Sequence, residues 1–345
     1  MDGFARRGKH VINLALIGAG PWGRNLLRSF AHMKHAQLKI CCDSDPARCA
    51  EALNGFRDIE AAHDPAPVLS NPHIDAVIIA SPAVTHYEFA LEALTRGKDV
   101  FVEKPMTLSL AHAEKLVETA KKNGRILMVG HLLEYHPGVN KMKELLTTGA
   151  LGDLYYLYSE RVNLGRIRSD ENALWSFAPH DVSIILYLLE REPVEVSASG
   201  AAYIQPGLED VAFVWMRFEG NVLAQIHVSW LDPHKIRRTT LVGSKKMVVF
   251  DDMEPSEKIR IYDKGVTLNG RCVSYAESFS LRFGEVSVPM LDTREPLKLE
   301  SEHFVDCLMT RKEPRSNGAD GLRVVRVLDA AQRSMKSGGA PVLLG

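Results

Sequence analysis

The chain has 345 residues, 46% apolar and 25% charged, with 42 Lys and Arg against 43 Asp and Glu for a formal net charge of −1. This composition excludes disordered, collagen-like and disulfide-stapled chains, and the balanced charge leaves no bulk field to hold nucleic acid or an anionic membrane surface. The length suits two domains.

Val11–Ile17, VINLALI, is a near-continuous branched apolar run too short for a helix, which predicts a parallel strand covered on both faces. The turn GAGPWG follows, then an expected helix from Pro21 to about Met33, a strand at Leu38–Cys42 ending on Asp43, and a helix from Pro46 to about Leu53. The alternation continues with a strand at Asp75–Ala80, a helix at His86–Arg96 stopped by Gly97, and a strand at Asp99–Val102. A helix N-capped by Ser109 and ended by Gly124 leads to a strand at Arg125–Val129. Residues 1–130 are thus expected to form an α/β domain on a parallel sheet.

Beyond this point the period changes to two. In VLAQIHVSW, Val222, Ala224, Ile226, Val228 and Trp230 share one face. Strands are expected at Asp153–Arg161, Val194–Ala202, Val211–Phe218, Val222–Trp230, Arg238–Leu241 and Met247–Phe250, with turns at Glu219–Asn221 and Asn269–Gly270. Two helices, Leu299–Thr310 and Gly321–Met335, close the chain. Residues 131–345 therefore read as an α+β domain with a mostly antiparallel sheet. One layer of helices covers only one face of such a sheet, and its apolar faces predict burial against a second copy, as a homodimer or a dimer of dimers.

Five cysteines, Cys41, Cys42, Cys49, Cys272 and Cys307, lack paired CxxC spacing, so neither disulfides nor a metal site are expected. The opening MDGFARRGKH has no apolar signal core, and no apolar stretch reaches the roughly 20 residues of a membrane span. A soluble, cytoplasmic protein is expected.

Chemistry concentrates at four places. Gly18, Gly20 and Gly23, with Pro21 and Trp22 between them, form GxGxxG between a strand and a helix, and Asp43 ends the next strand. Glycines there permit a tight turn and close approach of backbone N–H groups to a pyrophosphate, while a carboxylate accepts from ribose hydroxyls and repels a 2′-phosphate. NAD is expected, with Arg24 and Arg48 leaving an opening for NADP. Ser81, Pro82 and His86 follow another strand, where ligands bind; His86 is either a cofactor contact or a plain helix-start residue. Glu103-Lys104-Pro105 ends a further strand, so Lys104 is expected in the cofactor crevice, polarising a substrate hydroxyl, with Glu103 at the nicotinamide end. Finally, Pro179 suits a first helical turn and sets His180 at a helix N-terminus, where the dipole keeps an imidazole neutral for work as a base. The alternative is a histidine that only bonds locally.

Taken together, GAGPWG, the EKP tripeptide and His180 resemble the Gfo/Idh/MocA oxidoreductases over nearly the whole chain. The resemblance implies an N-terminal Rossmann domain, an open-faced sheet in the second domain, and Lys104 and His180 acting together on a ring hydroxyl. The family's second-domain pattern reads approximately D-x-G-x-H-x-x-D, whereas here Ser176 and Ser183 replace both aspartates. Asp181 is the remaining candidate for an assisting acid, set about 100° around a helix from His180. The segments Gly130–Pro137, with His131 at the cofactor, and Asn163–Trp175 look like a subgroup acting on UDP-linked amino sugars, whose 3-oxo product a partner transaminase aminates. That reading gives Arg161, Arg166 and Arg168 to a diphosphate, Asn163 to an amide or hydroxyl, and Trp175 to a ring face, though each is equally suited to a structural role. Rival readings are a UDP-sugar uronic acid substrate and a non-catalytic NAD-binding sensor.

Overall fold

The computed structural model describes residues 11–165, 167–268 and 279–344. The chain order is β1 (Ile12–Ile17), α1 (Pro21–Phe30), β2 (Ala36–Cys42), α2 (Pro46–Ala52), β3 (Glu60–Ala62), α3 (Pro65–Ser70), β4 (Ala76–Ile79), α4 (His86–Thr95), β5 (Asp99–Glu103), α5 (Leu110–Lys122) and β6 (Leu127–Gly130). It continues with α6 (Pro137–Thr147), β7 (Leu154–Val162), α7 (Ala173–Leu189), β8 (Glu195–Ala201), β9 (Val211–Phe218), β10 (Val222–Ser229), β11 (Ile236–Gly243), β12 (Met247–Asp251), β13 (Ile259–Leu268) and β14 (Phe279–Ser287). Helices α8 (Pro296–Thr310) and α9 (Gly318–Lys336) and strand β15 (Val342–Leu343) end it.

The first compact unit runs to Leu132 and takes in Glu295–Val325. Its strands are all parallel in the order β3-β2-β1-β4-β5-β6, which is the Rossmann order with its switch point between β1 and β4. Leu14, Leu16, Ile78 and Ile79 are fully buried, as strands covered on both faces require. Asp45 and Asp64 cap α2 and α3 by accepting from first-turn N–H groups. Ser109 does precede α5, but its hydroxyl caps nothing; its own amide donates to Thr107 Oγ1.

Sequence alone had set all of 131–345 in the second domain, and the structure redraws that boundary. Helix α8 packs on the first sheet, where Phe304 meets Phe30 and Phe101 edge-on with centroids 6.1 and 5.5 Å away. Arg311 forks onto Asp99, and Ser316 Oγ donates to the Val129 carbonyl at 2.7 Å. These contacts bury a stripe of α8 that the local pattern of that helix cannot assign to one sheet or the other.

The second unit comprises Leu133–Arg294 and the chain from Arg326. Its sheet runs β14-β13-β12-β11-β7-β10-β9-β8-β15 and is antiparallel except for the β7–β10 pair. One face packs against α7, and Val222, Ala224, Ile226, Val228 and Trp230 are all buried. The opposite face presents Tyr156, Tyr158, Phe213, Trp215 and Leu223 in exposed positions. Gly220 and Asn221 take φ of 73° and 61° in the β9–β10 turn. The expected turn at Asn269–Gly270 lies outside the described residues, as does Cys272. No described helix is long and apolar enough to cross a membrane.

Candidate active site

Because every strand of the first sheet is parallel, the segments after β1, β2, β4, β5 and β6 share its carboxyl edge, and all the cofactor residues expected from sequence fall there. Gly18 has φ of 103°, and a Cβ on it would lie 2.5 Å from the Ala80 carbonyl carbon and the Ser81 amide. A Cβ at Gly23 would sit 2.0 Å from the Gly18 oxygen, whereas one at Gly20 would meet nothing within 4 Å. The loop is thus tight where it packs and open at Gly20, between Ala19 and Pro21, where a phosphate needs the backbone amides. Asp43 holds the loop by accepting from Ala19 N–H at 2.7 Å and from Asp45 N–H at 2.9 Å, which leaves acceptor capacity on both oxygens for ribose hydroxyls. These residues fit NAD.

Glu103 is buried at the same edge, with its carboxylate accepting from Trp22 Nε1 at 2.5 Å and from the Lys104 amide at 3.2 Å. Burial pushes it up to about 7, against the pull of the Trp22 bond and of Lys104. Gly130 lies against it, and a Cβ there would meet both carboxylate oxygens at about 3.0 Å. Glu300 of α8, fully buried, has neither oxygen hydrogen-bonded among the described residues; burial and the neighbouring Glu103 charge hold it well above the usual carboxylate range. His131 is buried too, with both ring nitrogens unbonded among the described residues, and burial holds it down to about 4. Lys104 is half-buried beside Glu103. A cavity of about 1080 Å³, lined by Trp22, Arg28, His35, Leu132, Leu297 and Met309 among others, shares only Trp22 with this set of residues.

His86 begins α4 and is buried with Nδ1 2.8 Å from the Pro105 carbonyl and Nε2 2.9 Å from the Ser81 carbonyl. Its ring therefore spans the turns that follow β4 and β5. Burial lowers its pKa, with the Lys104 charge acting the same way.

In the second unit, α7 is N-capped by Asn172, whose side chain accepts from Trp175 N–H, so Pro179 and His180 lie inside the helix rather than at its start. The N-terminal dipole expected to keep His180 neutral is thus too far away to act, since that field fades within the first turn. Pro179 is accommodated at the cost of one helical hydrogen bond. His180 is half-buried. Asp181 is 1% exposed and is not available to assist it: one oxygen accepts from Ser159 Oγ at 2.5 Å and the other from Arg161 Nε at 2.7 Å. Arg161 is accordingly a buried partner of Asp181. Arg168 forks onto Asp170 and also meets Glu171 at 3.0 Å. Trp175 is 9% exposed with its indole N–H on Gln332, leaving little ring face for a sugar. Asn163 is half-buried after β7, and Arg166 lies outside the described residues.

Residues 12–131 match the oxidoreductase family with an NAD-binding Rossmann fold, and residues 139–249 match the GFO/IDH/MocA C-terminal domain. A solved chain from Magnetospirillum magnetotacticum MS-1, described as an oxidoreductase, is 32% identical, covering 93% of this chain and 100% of that one, with a TM-score of 0.79. The chain belongs to the Gfo/Idh/MocA oxidoreductases. As a member of that family it is an NAD-dependent oxidoreductase. This Gfo/Idh/MocA chain is also similar to scyllo-inositol 2-dehydrogenase (NAD(+)) of Bacillus subtilis, 28% identical over 97% of both. It is 26% identical to UDP-N-acetylglucosamine 3-dehydrogenase of Acidithiobacillus ferrooxidans, over 90% of this chain and 93% of that protein. The inositol enzyme is the more similar of the two, so likeness by itself does not select a substrate.

Two residues of interest escaped sequence reading. Glu300 carried a usable signal, because it shares a helical stripe with Leu297, Ser301 and Phe304, where a charge is out of place. Arg237, discussed below, carried none beyond its place near a strand start.

Proposed function

We propose that this oxidoreductase removes a hydride from C3 of a nucleotide-linked amino sugar, UDP-N-acetylglucosamine, giving the 3-oxo sugar that a transaminase would convert toward a 2,3-diamino sugar of lipid A. The observation that carries the chemistry is Lys104 at the carboxyl edge of an NAD-binding sheet. Likeness to UDP-N-acetylglucosamine 3-dehydrogenase across 90% of the chain supports the substrate. Trp22, Asp43, Glu103 and the amides of the Gly18–Gly23 loop would hold the cofactor, with Ser81, Pro82 and His131 beside it. Bound NAD supplies the hydride acceptor. Lys104 polarises the 3-hydroxyl oxygen and His180 takes its proton as the carbonyl forms. Neither role needs a metal ligand.

A second reading, oxidation of a free inositol, is favoured by the 28% identity to the Bacillus enzyme. A third is the UDP-linked uronic acid, which would set an arginine against the C6 carboxylate. NADH absorbance at 340 nm separates them, with purified protein, NAD and each substrate in turn, and with a transaminase plus glutamate to drain the 3-oxo product. Reduction with UDP-N-acetylglucosamine is expected, and Lys104→Ala and His180→Ala should each lower turnover by about two to four powers of ten. Turnover with scyllo- or myo-inositol alone would overturn the substrate, and undiminished turnover in the double variant would overturn the residue roles. NAD binding with no turnover on any of them would favour a sensor.

We also propose that the exposed aromatic face of the second sheet is covered by a second copy of this chain.

A further inference from the structure

Arg237 is the second residue of β11, and the β7–β11 register sets it directly opposite Arg161. Directly opposed residues of antiparallel strands share a face with Cβ atoms about 5 Å apart, so two cations there repel and weaken the sheet. The fold compensates them unequally. Arg161 turns its fork onto Asp181 of α7, with Nε and Nη2 at 2.7 and 3.2 Å, and Ser159 occupies the same carboxylate. Arg237 makes no side-chain hydrogen bond among the described residues, and its nearest carboxylate, Asp252, stands 3.9 Å away. Arg237 meets Oδ2 of that carboxylate, while Oδ1 meets Lys258 at 3.4 Å and the His136 ring at 3.5 Å. Arg161, Arg237 and Lys258 thus face Asp181 and Asp252, which leaves one positive charge over.

Arg237 keeps 40% of its side chain exposed, and burial together with the Arg161 charge pulls its guanidinium below the ordinary arginine range. It lies at the end of the sheet where β7 finishes and where the chain leads through Asn163 and Arg168 into α7, the helix of His180. A half-buried fork whose ion pair with Asp252 is long, beside a neutralised twin, is suited to bidentate recognition of a planar or tetrahedral oxyanion.

We propose that Arg237 is the anion-holding residue of the second unit, taking phosphate or carboxylate oxygens of the substrate while the Arg161–Asp181 pair fixes the strand beside it. This deepens the sugar-nucleotide reading and rests on it for the identity of the anion. A diphosphate and a sugar carboxylate offer the same chemistry to the fork, and the experiment separates them.

Calorimetric titration of the NAD-loaded protein with UDP, with glucuronate and with myo-inositol tests this, in wild type, Arg237→Gln and Arg237→Lys. Arg237→Gln should weaken binding of at least one anion by roughly ten- to hundredfold, with NAD and neutral inositol affinities unchanged. Lysine should restore part of the loss, because it keeps the charge without the fork. Loss for UDP assigns the fork to the diphosphate, and loss for glucuronate assigns it to a carboxylate. Equal anion affinity in wild type and Arg237→Gln, or no anion binding to the wild type, overturns the proposal. The KM for UDP-N-acetylglucosamine keeps the two readings apart. If UDP-N-acetylglucosamine is turned over with the same KM by Arg237→Gln and neither anion's affinity depends on Arg237, the proposal falls and the substrate stands; if it is not turned over but anion binding still depends on Arg237, the substrate falls and the anion site stands.

Discussion

Glu103 and Glu300 are carboxyls that the folded chain makes harder to ionise, and this has a signed consequence for stability. A group whose folded pKa is raised contributes stability that is complete below its unfolded value and is lost as pH rises. For Glu103 the window runs from the ordinary 4.5 to about 7, and for Glu300 it runs upward from the same ordinary value. His131 acts in the opposite sense: its folded value is depressed from 6.5 to about 4, so its contribution is present above 6.5 and lost as pH falls. Glu300→Gln should therefore raise the melting midpoint of the protein at pH 8, by about 2–4 °C for each kcal/mol recovered, while the two midpoints converge below pH 4.5. Glu103→Gln should remove the fall in melting midpoint that Glu103 contributes between pH 4.5 and about 7, leaving the rise that His131 contributes over the lower part of that range. Differential scanning calorimetry across pH checks both, and a constant offset at every pH would sink the ionisation account.

At the scale of elements, the carboxyl edge is held together by contacts between turns rather than by strand pairing. His86 spans the turns after β4 and β5, yet a neutral imidazole donates from one nitrogen only, so one of its two carbonyl contacts lacks a proton unless the ring is charged. Asparagine offers an amide near the Nδ1 position and glutamine near Nε2. If the bond to the Pro105 carbonyl positions the Lys104 turn, His86→Ala should lower kcat by roughly tenfold or more and His86→Asn should recover most of it, with His86→Gln recovering less. The NAD affinity should stay within a few-fold throughout. Equal kcat in all three variants would leave His86 a packing residue. Element boundaries also explain the error over His180. Proline at N1 is the usual sign of a helix start, but the Asn172 cap begins α7 seven residues before Pro179, and a sequence window centred on the proline misses it.

For the whole molecule, the second sheet carries an exposed aromatic face. Its helix-covered face is closed by α7, while Tyr156, Tyr158, Phe213, Trp215 and Leu223 stand exposed on the other face of neighbouring strands. That exposed apolar face is the ground for the proposed second copy. Light scattering at micromolar concentration should give a dimer or tetramer mass, and Trp215→Glu combined with Tyr158→Glu should shift it toward monomer. A monomeric wild type would remove the proposed partner.

Local pattern was enough for the parallel alternation through β6, the glycine loop, Asp43, the Lys104 turn and the alternating face of β10, because each depends on period or on residues a few positions apart. Short or weakly patterned pieces such as β3, α3, α6, β13 and β14 did not show. What needed the tertiary structure was every decision made between distant residues. Phe304 against Phe30 and Phe101 assigns α8 to the first unit, and Asp181 turns Arg161 from a ligand candidate into a strand anchor. The Gln332 bond buries Trp175, and the β7–β11 register sets Arg237 opposite Arg161 with only a long ion pair to Asp252. Charges and rings are interchangeable in a one-dimensional reading, and their roles are set by which partner, far along the chain, reaches them first.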